Sequence, residues 1–332
     1  MLLVNNPGSW SHVHAPLRHA EWHGWTPTDL IFPFFLFIVG AAMAWSLGRY
    51  DRQLSQAFIG RVLRRVSLLL GLGLLLNGFP QFDLASLRLP GVLQRIGLVY
   101  MIAAPLIVFC SGRALAVGGV LVLGVYWWLL AHWGMSADEN LVRTVDRTVI
   151  GAQHLYRDGT GTDPEGLLST LPVIVTTLLG YRAGVLIRGR ALRRVCMEAV
   201  ALTAAGLLWS IWLPINKPLW SPSYVLLTAG LAGVCFALAH WLIDARGLRW
   251  IGRPFEQMGV NAITAFVGSG LLARVLIHVR IGDTSLKGHA YDGLLATGLS
   301  PINASLAFAV LTVLLWMGIL WVLARAGVRL KV

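Results

Sequence analysis

HAEWHGWTPTDLIFPFFLFIVGAAMAWSLG, residues 19 to 48, decides the fold. Its first third is polar and carries His19, Glu21, His23 and Asp29; from Leu30 to Gly48 no charged residue appears. The run from 27 to 48 meets the requirement of about 20 mostly apolar residues for a helix that crosses a bilayer. Thr26, Pro27 and Asp29 form a capping-box pattern with Pro at the first helical position, so the helix has a defined start. The stretch therefore predicts a membrane helix entered from a polar, histidine-bearing mouth.

Eight further segments have the same character: roughly 61–79, 92–110, 114–132, 167–187, 196–213, 223–243, 256–278 and 304–325. The whole chain agrees, with 332 residues, 56% hydrophobic, 13% charged and mean hydropathy +0.69. Soluble domains carry about 25% charged residues, so water is not the only solvent of this chain. The expected fold is all-α: a polytopic bundle of nine full transmembrane helices in a single domain, preceded by a truncated helical stub, Met1 to Val4. Those four residues are too few to cross a bilayer and lack the charged flank of a signal peptide.

The net charge of +12 does not indicate nucleic acid, because the arginines sit in short loops between spans and not on one basic face. Short loops rich in Lys and Arg stay in the cytoplasm. With the chain start outside, 17 of the 27 basic residues fall in inside loops, among them Arg49, Arg52, Arg113, Arg188 and Arg329, and eight fall outside, including Arg157. Eleven of the fifteen acids lie outside. Cys110, Cys196 and Cys235 are in or at the ends of spans, which gives no disulfide framework and no thiolate metal site.

The outside segments, 5–29, 134–166, 214–222 and 279–303, hold most of the groups that chemistry needs. A proton-transfer step near neutral pH calls for a group such as His19 or His23. The competing reading is an interfacial belt, with Trp22 and Trp25 anchored at the headgroups. Asp29 is explained equally by capping. His12, His14, His19 and His23 lack the regular spacing of a metal site, and no metal is expected.

RLPGVLQRIGLVY, from Arg88 to Tyr100, puts Gln94 and Arg95 about one turn inside a span. An intramembrane Arg is by default a functional-site hypothesis, against snorkelling as the alternative. Arg274 and His278 approach the same level from another helix, which suggests a polar cavity open to the outside. DRTVIGAQHLYRDGTGTDPEGLLSTLP, from Asp146, mixes His154, Asp163 and Glu165 with Tyr156; carboxylates accept from hydroxyl or ammonium groups while rings pack on sugar faces. INKPLWSPSYVLL, from Ile215, adds Asn216, Lys217, Trp220 and Tyr224 in a Pro-bounded turn. Solvated turns and interfacial anchoring explain the same compositions.

These segments, with VNN from Val4, DPEG from Asp163 and GRPFEQMGVNAI from Gly252, resemble in order the transmembrane domain of the heparan-alpha-glucosaminide N-acetyltransferase family and its bacterial relatives. The resemblance covers almost the whole chain. It implies that acetyl-CoA is taken from the cytoplasm, without a metal, and that an amino sugar is acetylated at the opposite face of a membrane, in bacteria the inner membrane. It also implies a full helix ahead of Asn5 and is compatible with a homodimer. By position His19 matches the family's active-site histidine, Asn5 its preceding asparagine, and Asp29 the acidic place at the helix mouth.

On this basis His19 is expected to act as general base, Asp29 to orient it and Asn5 to donate to the oxyanion. Direct attack and an acetyl-His19 intermediate both remain open. Gln94, Arg95, His154, Asp163, Glu165, Asn216, Lys217, Trp220, Tyr224 and Asn261 are expected to contact the sugar. No Gly-rich phosphate loop appears, so the anionic head of CoA is expected among inside arginines, Arg61, Arg64, Arg65 and Arg253. Bacterial members are also labelled as N-acetylglucosamine-related transporters, and the competing function is an amino-sugar transporter that performs no chemistry.

Overall fold

The computed structural model describes residues 1–48, 50, 54–156 and 161–327. Arg49, Asp51, Arg52, Arg157, Asp158, Arg329 and Lys331, which entered the charge count, lie outside the described residues. The helices are α1 (Leu2–Asn5), α2 (Ile31–Ser46), α3 (Gln56–Gly78), α4 (Val92–Phe109), α5 (Gly112–Trp133), α6 (Leu141–Ile150) and α7 (Thr170–Arg188). They continue with α8 (Leu192–Trp209), α9 (Pro222–His240), α10 (Arg249–Val260), α11 (Ala262–His278), α12 (Leu286–Leu295) and α13 (Pro301–Arg325). A two-residue antiparallel hairpin, β1 (Arg280–Ile281) with β2 (Thr284–Ser285), is a small departure from an all-helical chain.

Each of the nine segments expected to span is helical, but not all are alike. Among the described residues six helices are long and apolar enough to cross a membrane: Pro27–Ser46, Val92–Phe109, Gly112–Trp133, Thr170–Arg188, Pro222–Ala245 and Pro301–Arg325. The segment expected at 256–278 is broken: α10 and α11 meet at Asn261 with a bend of 66°, and the pair makes a seventh span if taken as one. Charge sets α3 and α8 apart. Arg61, Arg64 and Arg65 lie within α3, and Arg193, Arg194 and Glu198 lie within α8.

Glycines determine how the bundle closes. α2 packs along α7, and an added Cβ would lie 1.9 Å from Thr177 O at Gly40, 2.0 Å from Phe37 O at Gly180 and 2.5 Å from Ala41 O at Gly184. Any side chain there would push the two backbones apart, as in small-residue membrane contacts generally. α8 and α9 meet in the same way at Gly206 and Gly230. The main core, Phe32, Leu36, Leu69, Leu76, Leu93, Ile96, Val173, Trp220 and Tyr224 among others, lies between α2, α3, α4, α7 and α9.

The polar connections gather at one end of this bundle. The 5–29 segment touches the 214–222 turn through Gly24 N to Ile215 O, 2.8 Å, and Asn216 Nδ2 to Trp22 O, 3.0 Å. Trp22 Nε1 donates to Met135 O at 2.8 Å, and His154 Nδ1 donates to Leu87 O at 2.7 Å. Gly8 N reaches Ser305 O at 3.1 Å. At the opposite end Arg188 Nη1 donates to Ala44 O, 2.6 Å, joining the ends of α7 and α2.

Candidate functional site

The capping box read at Thr26 to Asp29 is formed, but it uses only one of the two carboxylate oxygens of Asp29. Oδ2 accepts from Thr26 N at 3.0 Å, Thr26 Oγ1 at 3.1 Å and Ala20 N at 3.0 Å. Oδ1 faces the other way, 2.6 Å from His19 Nδ1 and 3.2 Å from Lys217 Nζ. Asp29 is 1% exposed and His19 53% exposed, so a buried anion holds an imidazole that reaches solvent.

The tautomer follows from the donors available. Oδ1 of an ionised carboxylate only accepts, so Nδ1 carries the proton and donates to it. Lys217 Nζ lies 3.0 Å from the same Nδ1, but an ammonium has no acceptor to offer and its proton is directed to Asp29. Nε2 is then the basic atom of a ring that is half exposed. A carboxylate oriented to Nδ1 of a histidine that works through Nε2 is the general arrangement of an activated base.

The turn that brings Lys217 here is built from Asn216. Its Oδ1 accepts from Leu219 N at 2.8 Å, its Nδ2 donates to Trp22 O, and its own N donates to Ser221 Oγ at 3.0 Å. Asn216 Nδ2 also lies 3.3 Å from Nδ1 of His23, whose pKa is pushed down by burial. Trp220 takes a left-handed backbone, φ 52°, which turns its ring into the core against Phe32 and Tyr224. Tyr224 Oη donates to the backbone carbonyl of Asp29 at 2.5 Å. Trp220 and Tyr224 are fully buried and hold the site from beneath.

Asp163 and Glu165 have a protein partner. Arg88 Nε donates to Asp163 Oδ2 at 2.9 Å, and Nη2 to Asp163 Oδ1 at 2.5 Å and Glu165 Oε2 at 2.6 Å. Burial by itself would lower the guanidinium pKa; the hydrogen bonds and charges of Asp163 and Glu165 outweigh it and hold it raised. Arg88 also lies over the Tyr156 ring, 4.5 Å from its centroid. His154 clamps the same loop, its O accepting from Leu89 N at 2.9 Å.

Arg95 is buried beneath this loop. Nη2 donates to Gly166 O at 2.7 Å and Ser169 Oγ at 2.5 Å, the guanidinium faces Trp220 at 5.4 Å, and Nε and Nη1 have no protein partner. Asp146 secures the other side of the same turn: Oδ1 accepts from Leu167 N at 2.8 Å and Leu168 N at 3.2 Å, while Oδ2 is unpartnered. Burial pushes the Asp146 carboxyl up to about 6, against the opposing pull of those two N–H groups and Arg95.

Asn5 and Gln94 belong to a different space. Both line a cavity of about 220 Å³, and His19 is not among its lining residues. Among the described residues no hydrogen bond joins Asn5 to the His19–Asp29 pair, so the expected oxyanion donor and base are not brought together. Asn261 marks the α10–α11 break, where Nδ2 donates to Gln257 O at 3.2 Å. Of the arginines expected to hold CoA, Arg61 and Arg65 lie over the rings of Tyr50 and Tyr100, at 5.8 and 4.5 Å, while Arg64 and Arg253 are exposed. Among the described residues no three His, Cys, Asp or Glu side chains converge as metal ligands would.

Two residues that shape the site are not among those expected from the sequence: Arg88, which organises the acidic loop, and Asn77, whose Nδ2 donates to Arg88 O and Pro90 O at 2.8 and 2.9 Å. The RLPG segment carried the signal for Arg88, a cation at the mouth of a span. Asn77 had none.

No protein-family model matches the chain. It is 27% identical over 378 residues to heparan-alpha-glucosaminide N-acetyltransferase of Mus musculus, and 27% over 380 residues to that of Homo sapiens. These alignments cover 90% and 93% of this chain and 56% of each relative, so the chain spans about half the length of the curated relatives it matches. The similarity amounts to a distant family relationship.

Proposed function

We propose that the chain is a membrane acetyltransferase that moves acetyl from cytoplasmic acetyl-CoA to the amine of a glucosamine-type sugar on the extracytoplasmic side, with nine spans. The observation that carries the reading is the buried Asp29 carboxylate 2.6 Å from Nδ1 of a half-exposed His19. Distant similarity to N-acetyltransferases supports it.

In this reading the sugar amine attacks the thioester carbonyl, and Nε2 of His19 takes the ammonium proton as the C–N bond forms. The C–S bond breaks, and the proton passes from Nε2 to the departing thiolate. Asp29 stabilises the transient imidazolium through Nδ1–H. Lys217 balances the Asp29 anion, so the buried carboxylate is compensated even while His19 is neutral. An acetyl-imidazole route would use the same Nε2 as nucleophile. Lys217 is the cation beside the imidazole.

The deciding experiment uses proteoliposomes with labelled acetyl-CoA and glucosamine. Labelled N-acetylglucosamine is expected. Sugar uptake without consumption of acetyl-CoA would replace this reading with transport.

A further inference from the structure

Away from the His19 dyad, the 220 Å³ cavity between α1, α3, the start of α4 and α11 has an unusual polar lining: Asn5, Asn77, Arg88, Gln94, Ser269 and Arg274. Among the described residues no carboxylate lines it, yet two guanidinium groups do. That of Arg88 is matched by Asp163 and Glu165. That of Arg274 makes a single hydrogen bond, Nη1 to Gly270 O at 3.1 Å, and among the described residues no ion pair includes it.

Gln94 supplies the second observation. It is 4% exposed and its Nε2 has no partner. Its amide is kept at the wall by the absence of side chains at Gly73 and Gly91, where an added Cβ would stand 2.2 and 2.6 Å from Oε1. A smaller cavity of about 180 Å³ shares Asn77 and Arg274 with this one and is lined by Gln81, Asp83, Ser86 and His278 of the outer loops. Asp83 lines the outer cavity and not the inner one.

An unmatched cation in a membrane helix and a buried amide donor without an acceptor are both unfavourable, and one anionic group relieves both. We infer that the inner chamber is an anion site, holding a sulfate, phosphate or carboxylate carried by one of the two substrates. Arg274 is its charge partner and Gln94 its amide donor. The chamber is smaller than the roughly 300–1,000 Å³ of drug-sized ligand pockets, which suits one charged group or one sugar ring. The inference rests on the proposed acetyl transfer only for what carries the anion: an acidic substituent on the amino sugar, or the phosphates of CoA.

Calorimetric titration of the full chain in detergent tests it, with glucosamine, glucosamine 6-sulfate and CoA as separate ligands. Arg274→Gln is expected to weaken one of the two anionic ligands about tenfold, as loss of a charge-assisted hydrogen bond does, with glucosamine affinity unchanged. Arg274→Lys should restore part of the loss, and Gln94→Leu should weaken the same ligand. Loss confined to the sulfated sugar makes the acceptor the source of the anion; loss confined to CoA makes it the donor. Should Arg274→Gln fail to fold, the parent decides: its dissociation constant for that ligand must rise with NaCl. Unchanged affinity for both anions in a folded variant, equal loss for all three ligands, or a parent insensitive to salt overturns the anion site. Binding is read without turnover, so failure of acetyl transfer is a separate result.

Discussion

Nδ1 of His19 lies 2.6 Å from Oδ1 of Asp29, while the other oxygen of the same carboxylate caps the helix that follows. One buried group thus begins a membrane helix and orients an exposed imidazole. The cap and the proposed base cannot be displaced independently, because the helix start holds the carboxylate rigid.

Replacing His19 by Ala is expected to lower single-turnover acetylation by ~10²- to 10⁴-fold, the usual cost of losing a general base, with acetyl-CoA binding and melting temperature nearly unchanged. His14→Ala is the comparison, since the His14 ring lies 3.3 Å from Asn303 Oδ1 and makes no hydrogen bond to Asp29 among the described residues. Equal loss in both variants, or turnover by His19→Ala within a few-fold of the parent, contradicts the assignment.

Lys217→Met should slow turnover and also destabilise the chain, because it leaves Asp29 without its fixed cation. Breaking a buried pair by removing one partner typically costs about 3–5 kcal/mol. A melting temperature equal to that of the parent would show that Lys217 does not compensate Asp29.

Arg88→Lys is expected to destabilise nearly as much as Arg88→Ala. A single ammonium cannot reproduce the fork to Asp163 together with the bond to Glu165. Chemical denaturation of the two variants checks this, and full rescue by Lys would reject the geometric argument.

The raised carboxyl of Asp146 gives a pH dependence of definite sign. A folded-state value of about 6 against 3.8 means that the fold prefers the protonated form. Its contribution is therefore fully present below pH ~4 and is lost as pH rises toward about 6, an order of about 3 kcal/mol. Asp146→Asn resembles the protonated form and keeps an acceptor for Leu167 N and Leu168 N. Thermal melts should show the Asn variant more stable than the parent at pH 7 and the difference closing near pH 4; a gap independent of pH counts against it.

Topology is read by cysteine labelling after replacement of Cys110, Cys196 and Cys235. An impermeant reagent should modify a Cys placed at Asp138 and spare one at Gly189, as the segregation of basic residues requires. The reverse pattern inverts the orientation.

Hydropathy and local caps were readable from the chain alone. The helical segments, the polar connections and the start at Thr26 to Asp29 depend on neighbours within a few residues or on the solvent each residue must face. The bend at Asn261 was not readable, since apolar composition continues through it. Side-chain partners were not readable either. Lys217 meets Asp29 across 188 residues, and Arg88 takes Asp163 and Glu165 across 75 and 77. Composition marks all of these as polar groups near a membrane surface and says nothing about which face each other. That is set by how closely the helices cross, at contacts such as Gly40 on Thr177, and by the left-handed turn at Trp220 that presents Lys217 to His19.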